Sequence, residues 1–112
     1  MVKKSLNIER GDIVWVDFSP TKGHEQSGLR PAVVMSPIKY NSFSGLALVC
    51  PITSKRKNYF FEVEARCLKT KSFVLADQIR SVDIKERTKK TKDKLSESEV
   101  NEILAKVLVL FQ

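Results

Sequence analysis

The sequence predicts a mainly β domain that ends in one helix, built as a small antiparallel barrel or sandwich. Three observations predict it. Short apolar runs rich in Val, Ile and Phe recur between residues 12 and 84, separated by Pro, Gly, Asn and Ser. The clearest helical spacing of apolar residues comes after residue 95. The chain has 112 residues, enough for one domain with one modest core.

The elements follow in order. Residues 1–9 read as a loose leader. The first strand, 12–18, sets Val14, Val16 and Phe18 on one face and Ile13, Trp15 and Asp17 on the other. Trp15 is expected in the core or at a dimer interface. The second strand is expected at 31–36. Between the two lie residues 19–30, a longer connection than a hairpin needs. It carries His24, Glu25, Gln26 and Arg30, and Gly23 and Gly28 permit sharp turns. Pro37 ends the second strand, residues 39–42 suit a short turn of helix, and Asn41, Ser42, Ser44 and Gly45 make the next connection.

Further strands are expected at 46–52, 59–65, 72–76 and 79–84. The loop 54–58, SKRKN, is basic, and alternation turns one of Phe60 and Phe61 inward. Residues 85–94, KERTKKTKDK, read as a solvated, partly mobile connector; the alternative is an electrostatic landing strip for phosphates. Ser96 is an N-cap with Glu99 completing a capping box, and Leu95 can staple to Val100. Over residues 96–111, Val100, Ile103, Leu104, Val107, Leu108 and Phe111 then form one apolar stripe. Val109 and Leu110 widen it beyond what a monomer needs to bury, which points to a partner.

A net charge of +7 favours polyanions, either RNA or an acidic protein segment, although it lies within the range of ordinary small domains. Cys50 lies inside an apolar run and is expected to be buried. With Cys67 and one histidine it makes no zinc site, so neither metal nor cofactor is expected. The N-terminus lacks the apolar segment of a signal peptide, and no run approaches the ~20 apolar residues of a membrane span. A cytoplasmic protein with reduced thiols is expected.

Residues 10–37, RGDIVWVDFSPTKGHEQSGLRPAVVMSP, carry a resemblance. The pattern resembles the opening of the MazF/PemK family of toxin endoribonucleases, closest to its MazF branch. Pro51-Ile52-Thr53-Ser54, Phe61-Glu62-Val63 and Leu75-Ala76-Asp77-Gln78-Ile79-Arg80 agree in the same order. The resemblance implies an SH3-like barrel with a terminal helix, associated as a homodimer. It also implies a toxin of a type II toxin-antitoxin system that cleaves single-stranded mRNA without metal. A cognate MazE-like antitoxin with an acidic, disordered tail would then cover the basic groove.

Metal-free RNA cleavage needs a base for the 2′-hydroxyl, a stabiliser for charge on the phosphorus oxygens and an acid for the leaving 5′-oxygen. Glu25 is the candidate base, because a carboxylate that RNA desolvates gains basicity. Arg30 precedes Pro31, which restricts its backbone and fixes a guanidinium fork for phosphate. Family accounts cast it as an acid; its pKa above about 12 favours transition-state stabilisation instead. An ion pair of Arg30 with Asp77 or Glu25 is compatible with that role. The Thr53 hydroxyl suits a phosphate oxygen or the 2′-hydroxyl, and Ser54 is a weaker version of the same argument.

His24, Gln26, Lys55, Arg56, Lys57, Asp77 and Gln78 are candidate RNA contacts. The basic residues lie beside aromatics, as single-stranded RNA binding requires. Where one branch of the family has an arginine two positions before the aspartate, this chain has Leu75. The Glu25–Arg30 arrangement is favoured accordingly, with Asp77 orienting Arg30 or reading a base. Two other functions compete. Gyrase-directed toxins share the barrel but end in Trp-Gly-Ile, whereas this chain ends Leu110-Phe111-Gln112. A nucleic-acid-binding module without catalysis is the third reading.

Overall fold

The computed structural model describes residues 7–19, 23, 28–66 and 68–112. Seven strands and three helices follow in the order β1 (Asp12–Asp17), β2 (Leu29–Val34), α1 (Ile38–Ser44), β3 (Leu46–Thr53), β4 (Glu62–Glu64), β5 (Phe73–Leu75), β6 (Arg80–Asp83), α2 (Ile84–Arg87), β7 (Thr88–Lys94) and α3 (Glu97–Val109). A 3-10 turn, Ala76–Gln78, joins β5 to β6. The expected antiparallel β domain with its terminal helix is what forms. The strands run β4-β5-β3-β2-β1-β7, with β6 pairing β3 off that path. These pairings do not join β4 to β7, so the barrel is loose rather than closed.

β3 holds the architecture together. On one edge it pairs with β2, Ala32 opposite Pro51 and Val34 opposite Val49. On the other it pairs first with β6, from Leu46 to Val49, and then with β5, at Ile52 and Thr53. The exchange of partners falls at Cys50 and Pro51, where proline has no N–H to offer a continuous ladder. Beyond this point β5 and β6 diverge, and the segment between them is free to carry the 3-10 turn.

The core lies on both sides of the sheet. Val14, Val16, Phe18, Val34, Val49 and Ile84 fill one side. Ile13, Val33, Cys50, Ile52, Val63 and Val74 meet the apolar stripe of α3 on the other. The alternation of the first strand is borne out, since Ile13 and Val14 belong to opposite clusters. The capping box is borne out as well: Ser96 Oγ accepts from the Glu99 N–H, while a Glu99 carboxylate oxygen accepts from Ser96 N at 3.0 Å. Leu95 and Val100 are both buried.

Several expectations are corrected. β2 begins two residues before 31, with Arg30 opposite Val16, so Arg30 is a strand residue rather than a loop end. The Phe18 N–H donates to Gly28 O at 3.0 Å and closes the connection there. Residues 85–94 are largely exposed, as expected, but they are not an irregular connector. They form α2 and β7, and β7 pairs with β1 through Trp15–Lys89 and Val16–Thr88. Two forces overcome the high charge. The Thr91 hydroxyl donates to Ile13 O at 2.7 Å. Buried Asp12 draws Lys94 Nζ to 3.2 Å and Lys90 Nζ to 3.5 Å. Lysines on an edge strand also discourage pairing with further chains.

Trp15 is not a core residue: it is 43% exposed although it shares its face of β1 with buried Ile13, which leaves the dimer interface of the two places expected for it. Residues 1–6 of the expected leader lie outside the described residues. Ile8, by contrast, is buried, and its carbonyl accepts from Asn41 Nδ2 at 2.7 Å. The last turn of α3 leaves Leu108, Leu110 and Phe111 exposed, as the widened stripe suggested. Among the described residues no helix is long and apolar enough to cross a membrane.

Candidate active site

Two clefts flank the end of β3. The first, about 440 Å³, is lined by Gly28, Arg30, Pro31, Thr53, Ser54 and Thr70 among others. Arg30 and Thr53 come from separate strands, and the β2–β3 ladder brings their ends to one place. The Arg30 backbone is held on one side by β1 and on its C-terminal side by Pro31, so its guanidinium projects from a fixed base. Thr53 is almost fully buried, and its Oγ1 accepts from Lys55 N at 3.1 Å. With a lone pair so occupied, the hydroxyl keeps its proton to donate. Glu25, His24 and Gln26 lie outside the described residues.

The basic loop after Thr53 is organised by Glu62. Its carboxylate accepts from the backbone N–H groups of Lys57 and Asn58, and Asn58 turns the chain with φ of 57°. Arg56 is engaged within this loop. Its Nε donates to Asn58 Oδ1 at 2.6 Å and lies 3.7 Å from Glu62 Oε1, while its guanidinium stacks 5.2 Å from the Phe73 ring centre. Lys55 and Lys57 are exposed. Of the adjacent rings, Phe60 points outward under the Lys106 ammonium, 4.7 Å away, and Phe61 packs on the core. The expected division of these two rings is borne out.

The second cleft, about 520 Å³, is lined by Phe18, Pro51, Asp77, Gln78, Ile79, Arg80 and Ser81. Arg80 is held 5.6 Å over the Phe18 ring. Asp77 is exposed and accepts a hydrogen bond from the Tyr59 hydroxyl. Burial, helped by that carboxylate, raises the Tyr59 pKa above its ordinary value and keeps the phenol protonated. Arg30 thus lines one cleft and Asp77 the other. Leu75, where one family branch has arginine, is wholly buried and leaves no room for a charged side chain. Cys50 is buried with Sγ 3.9 Å from Ala76 O, and burial pushes its thiol up to about 12.

Sequence reading missed Arg80 and Tyr59 as site residues. Both take their places through contacts distant in the chain, Arg80 with Phe18 and Tyr59 with Asp77, and no local pattern announces either.

Comparison with known proteins agrees with this fold. The family model described as PemK-like, MazF-like toxin of type II toxin-antitoxin system matches residues 9–111. The chain is 43% identical over 102 residues to the endoribonuclease toxin MazF of Escherichia coli strain K12, covering 91% of this chain and 92% of that one. It is 39% identical over 113 residues to endoribonuclease toxin ChpB of the same strain, covering 96% of each. Among solved structures, MazF (Form-I) from Deinococcus radiodurans superposes with a TM-score of 0.84 at 39% identity, covering 92% of this chain and 94% of that one. A MazE-MazF structure (Form-II) from the same organism gives 0.76 at 34% identity, covering 92% and 93%. Sheet order, terminal helix and a match spanning nearly the whole chain lead to one conclusion: this chain belongs to the PemK-like, MazF-like toxin family of type II toxin-antitoxin systems.

Proposed function

We propose that the protein is a sequence-specific, metal-independent endoribonuclease that cleaves single-stranded mRNA and thereby arrests translation. The observation that supports this reading is the first cleft, which Arg30 and Thr53 line together from different strands. The RNA supplies its own nucleophile. Glu25 takes the proton of the 2′-hydroxyl, and the 2′-oxygen attacks the adjacent phosphorus. The bond from phosphorus to the 5′-oxygen breaks, leaving a 2′,3′-cyclic phosphate and, once that oxygen takes a proton from solvent water, a 5′-hydroxyl. Arg30 stabilises the charge that builds on the phosphoryl oxygens, and Thr53 donates to one of them. Lys55 and Lys57 attract the backbone, while His24, Gln26, Ser54 and Gln78 contact the bound RNA.

The reading includes partners. The exposed apolar end of α3 and exposed Trp15 suit contact with a second copy in a homodimer. The excess of basic residues suits an acidic, disordered antitoxin segment, and relatives have been solved as MazE-MazF complexes. Cytoplasmic mRNA is the natural substrate for such a toxin.

The test is digestion of a long unstructured RNA in excess EDTA by wild type, Arg30→Ala and Glu25→Ala in parallel, with ends mapped by primer extension. Cuts at one short motif, lost in both variants, are expected. RNA left intact by wild type, or cut identically by all three, overturns the nuclease reading. Trapped gyrase–DNA complexes alongside intact RNA would move the function to a protein target.

A further inference from the structure

The second cleft has a composition that phosphate binding does not explain. Among the described residues lining it, Asp77 is the one carboxylate. An exposed acid beside an RNA path repels the backbone, so its presence in a protein of net charge +7 works against affinity unless it accepts a hydrogen bond from the nucleic acid. A carboxylate accepts about four hydrogen bonds, and the Tyr59 hydroxyl uses one. That bond ties the basic loop after β3 to the 3-10 turn before β6 and sets the direction of the carboxylate. Tyr59 is itself steadied by an edge contact with Phe61, ring centres 6.3 Å apart. The cleft is also lined by the Arg80 guanidinium on its Phe18 platform and by Ser81. Groups that donate and accept in fixed directions, around a cavity of about 520 Å³, suit the edge of one unstacked base.

On the nuclease reading above, we propose that Asp77, oriented by Tyr59, selects one base of the RNA by accepting from an exocyclic amine. Cytosine N4, adenine N6 and guanine N2 each satisfy it. Uracil places its O4 acceptor in the same position, so two acceptors face each other and the base is rejected. Asp77 makes the contact, and Tyr59 is a positioning residue that acts through it.

The test reads binding apart from cleavage. A random single-stranded pool of 2′-fluoro RNA, which lacks the attacking hydroxyl, is selected on wild type, Asp77→Ala, Tyr59→Phe and the double variant. Wild type is expected to enrich an amine-bearing base (cytosine, adenine or guanine) over uracil at one position by about tenfold, the size of one good base contact. Asp77→Ala abolishes that preference and leaves other positions unchanged. Tyr59→Phe, which keeps the ring, weakens the same position about threefold, and the double variant behaves as Asp77→Ala alone. Preference unchanged in Asp77→Ala, or a uniform loss at every position in Tyr59→Phe, overturns the proposal. Cleavage of ordinary RNA by wild type, run beside it, separates the two ideas: absent cutting with the preference intact removes the nuclease and keeps the base contact.

Discussion

Glu99 supports a sharp prediction about what holds the terminal helix to the sheet. Its carboxylate is nearly inaccessible to solvent and accepts from Ser96 N at 3.0 Å, Ser96 Oγ at 2.8 Å and Arg66 N at 2.6 Å. The last bond links α3 to the chain just beyond β4. Burial pushes the Glu99 pKa up, but the Ser96 and Arg66 donors outweigh it and hold the carboxyl below its ordinary value. Glu99→Ala strands two backbone N–H groups. At roughly 1–3 kcal/mol for each unsatisfied donor, the expected loss is about 2–6 kcal/mol. For a chain of this length ~1 kcal/mol corresponds to ~4 °C, so Tm should fall by roughly 8–24 °C. Glu99→Gln keeps one acceptor and should lose about half as much.

The acid limb carries the sign. A group with a lowered folded pKa contributes stability above its unfolded value, near 4.5, and loses it as pH falls through the folded value. Wild type should therefore lose stability below about pH 4.5 more steeply than Glu99→Gln. The assay is thermal unfolding by circular dichroism from pH 7 to pH 3. A Glu99→Ala protein within about 2 °C of wild type, with an unchanged acid limb, would refute the reasoning.

Other consequences are testable in the same way. Ile103→Ala empties a fully buried site between α3 and the sheet and should cost about 2–5 kcal/mol in urea unfolding; under 1 kcal/mol contradicts the packing. Lys55→Ala should lower the salt dependence of RNA binding by about 0.7 in log–log slope, whereas Arg56→Ala should lower Tm, because Arg56 is engaged within its own loop. In a Cys67→Ser background, Cys50 should resist a thiol reagent at pH 8 until the protein unfolds, and rapid native labelling would place it elsewhere than in the core. Leu110→Asp combined with Phe111→Asp should keep Tm within a few degrees and halve the mass by analytical ultracentrifugation; an unchanged mass removes the end of α3 from the dimer contact.

Much of the fold was legible because its signals are local. The alternation around Val14 and the Ser96–Glu99 spacing each carry their structure within a few residues. β7 was not legible, because the forces that make it a strand come from buried Asp12 and the free edge of β1, some eighty residues away. Of the two places open to Trp15, the core fell away: it shares a face of β1 with buried Ile13 but lies beyond the cover that α3 gives that face. Arg30 and Thr53 were paired in the sequence only through the family resemblance, and the Tyr59–Asp77 bond was not foreseen at all: it joins two loops whose sequences read separately as basic and polar.

The most direct test of the central claim is a short RNA containing the mapped motif, with a single 2′-deoxy substitution at the nucleotide whose hydroxyl would attack, digested in EDTA beside the unmodified strand. If the RNA supplies its own nucleophile, cutting at that bond disappears and the unmodified strand yields a 2′,3′-cyclic phosphate and a 5′-hydroxyl. Equal cutting of both strands, or 5′-phosphate ends, would contradict it.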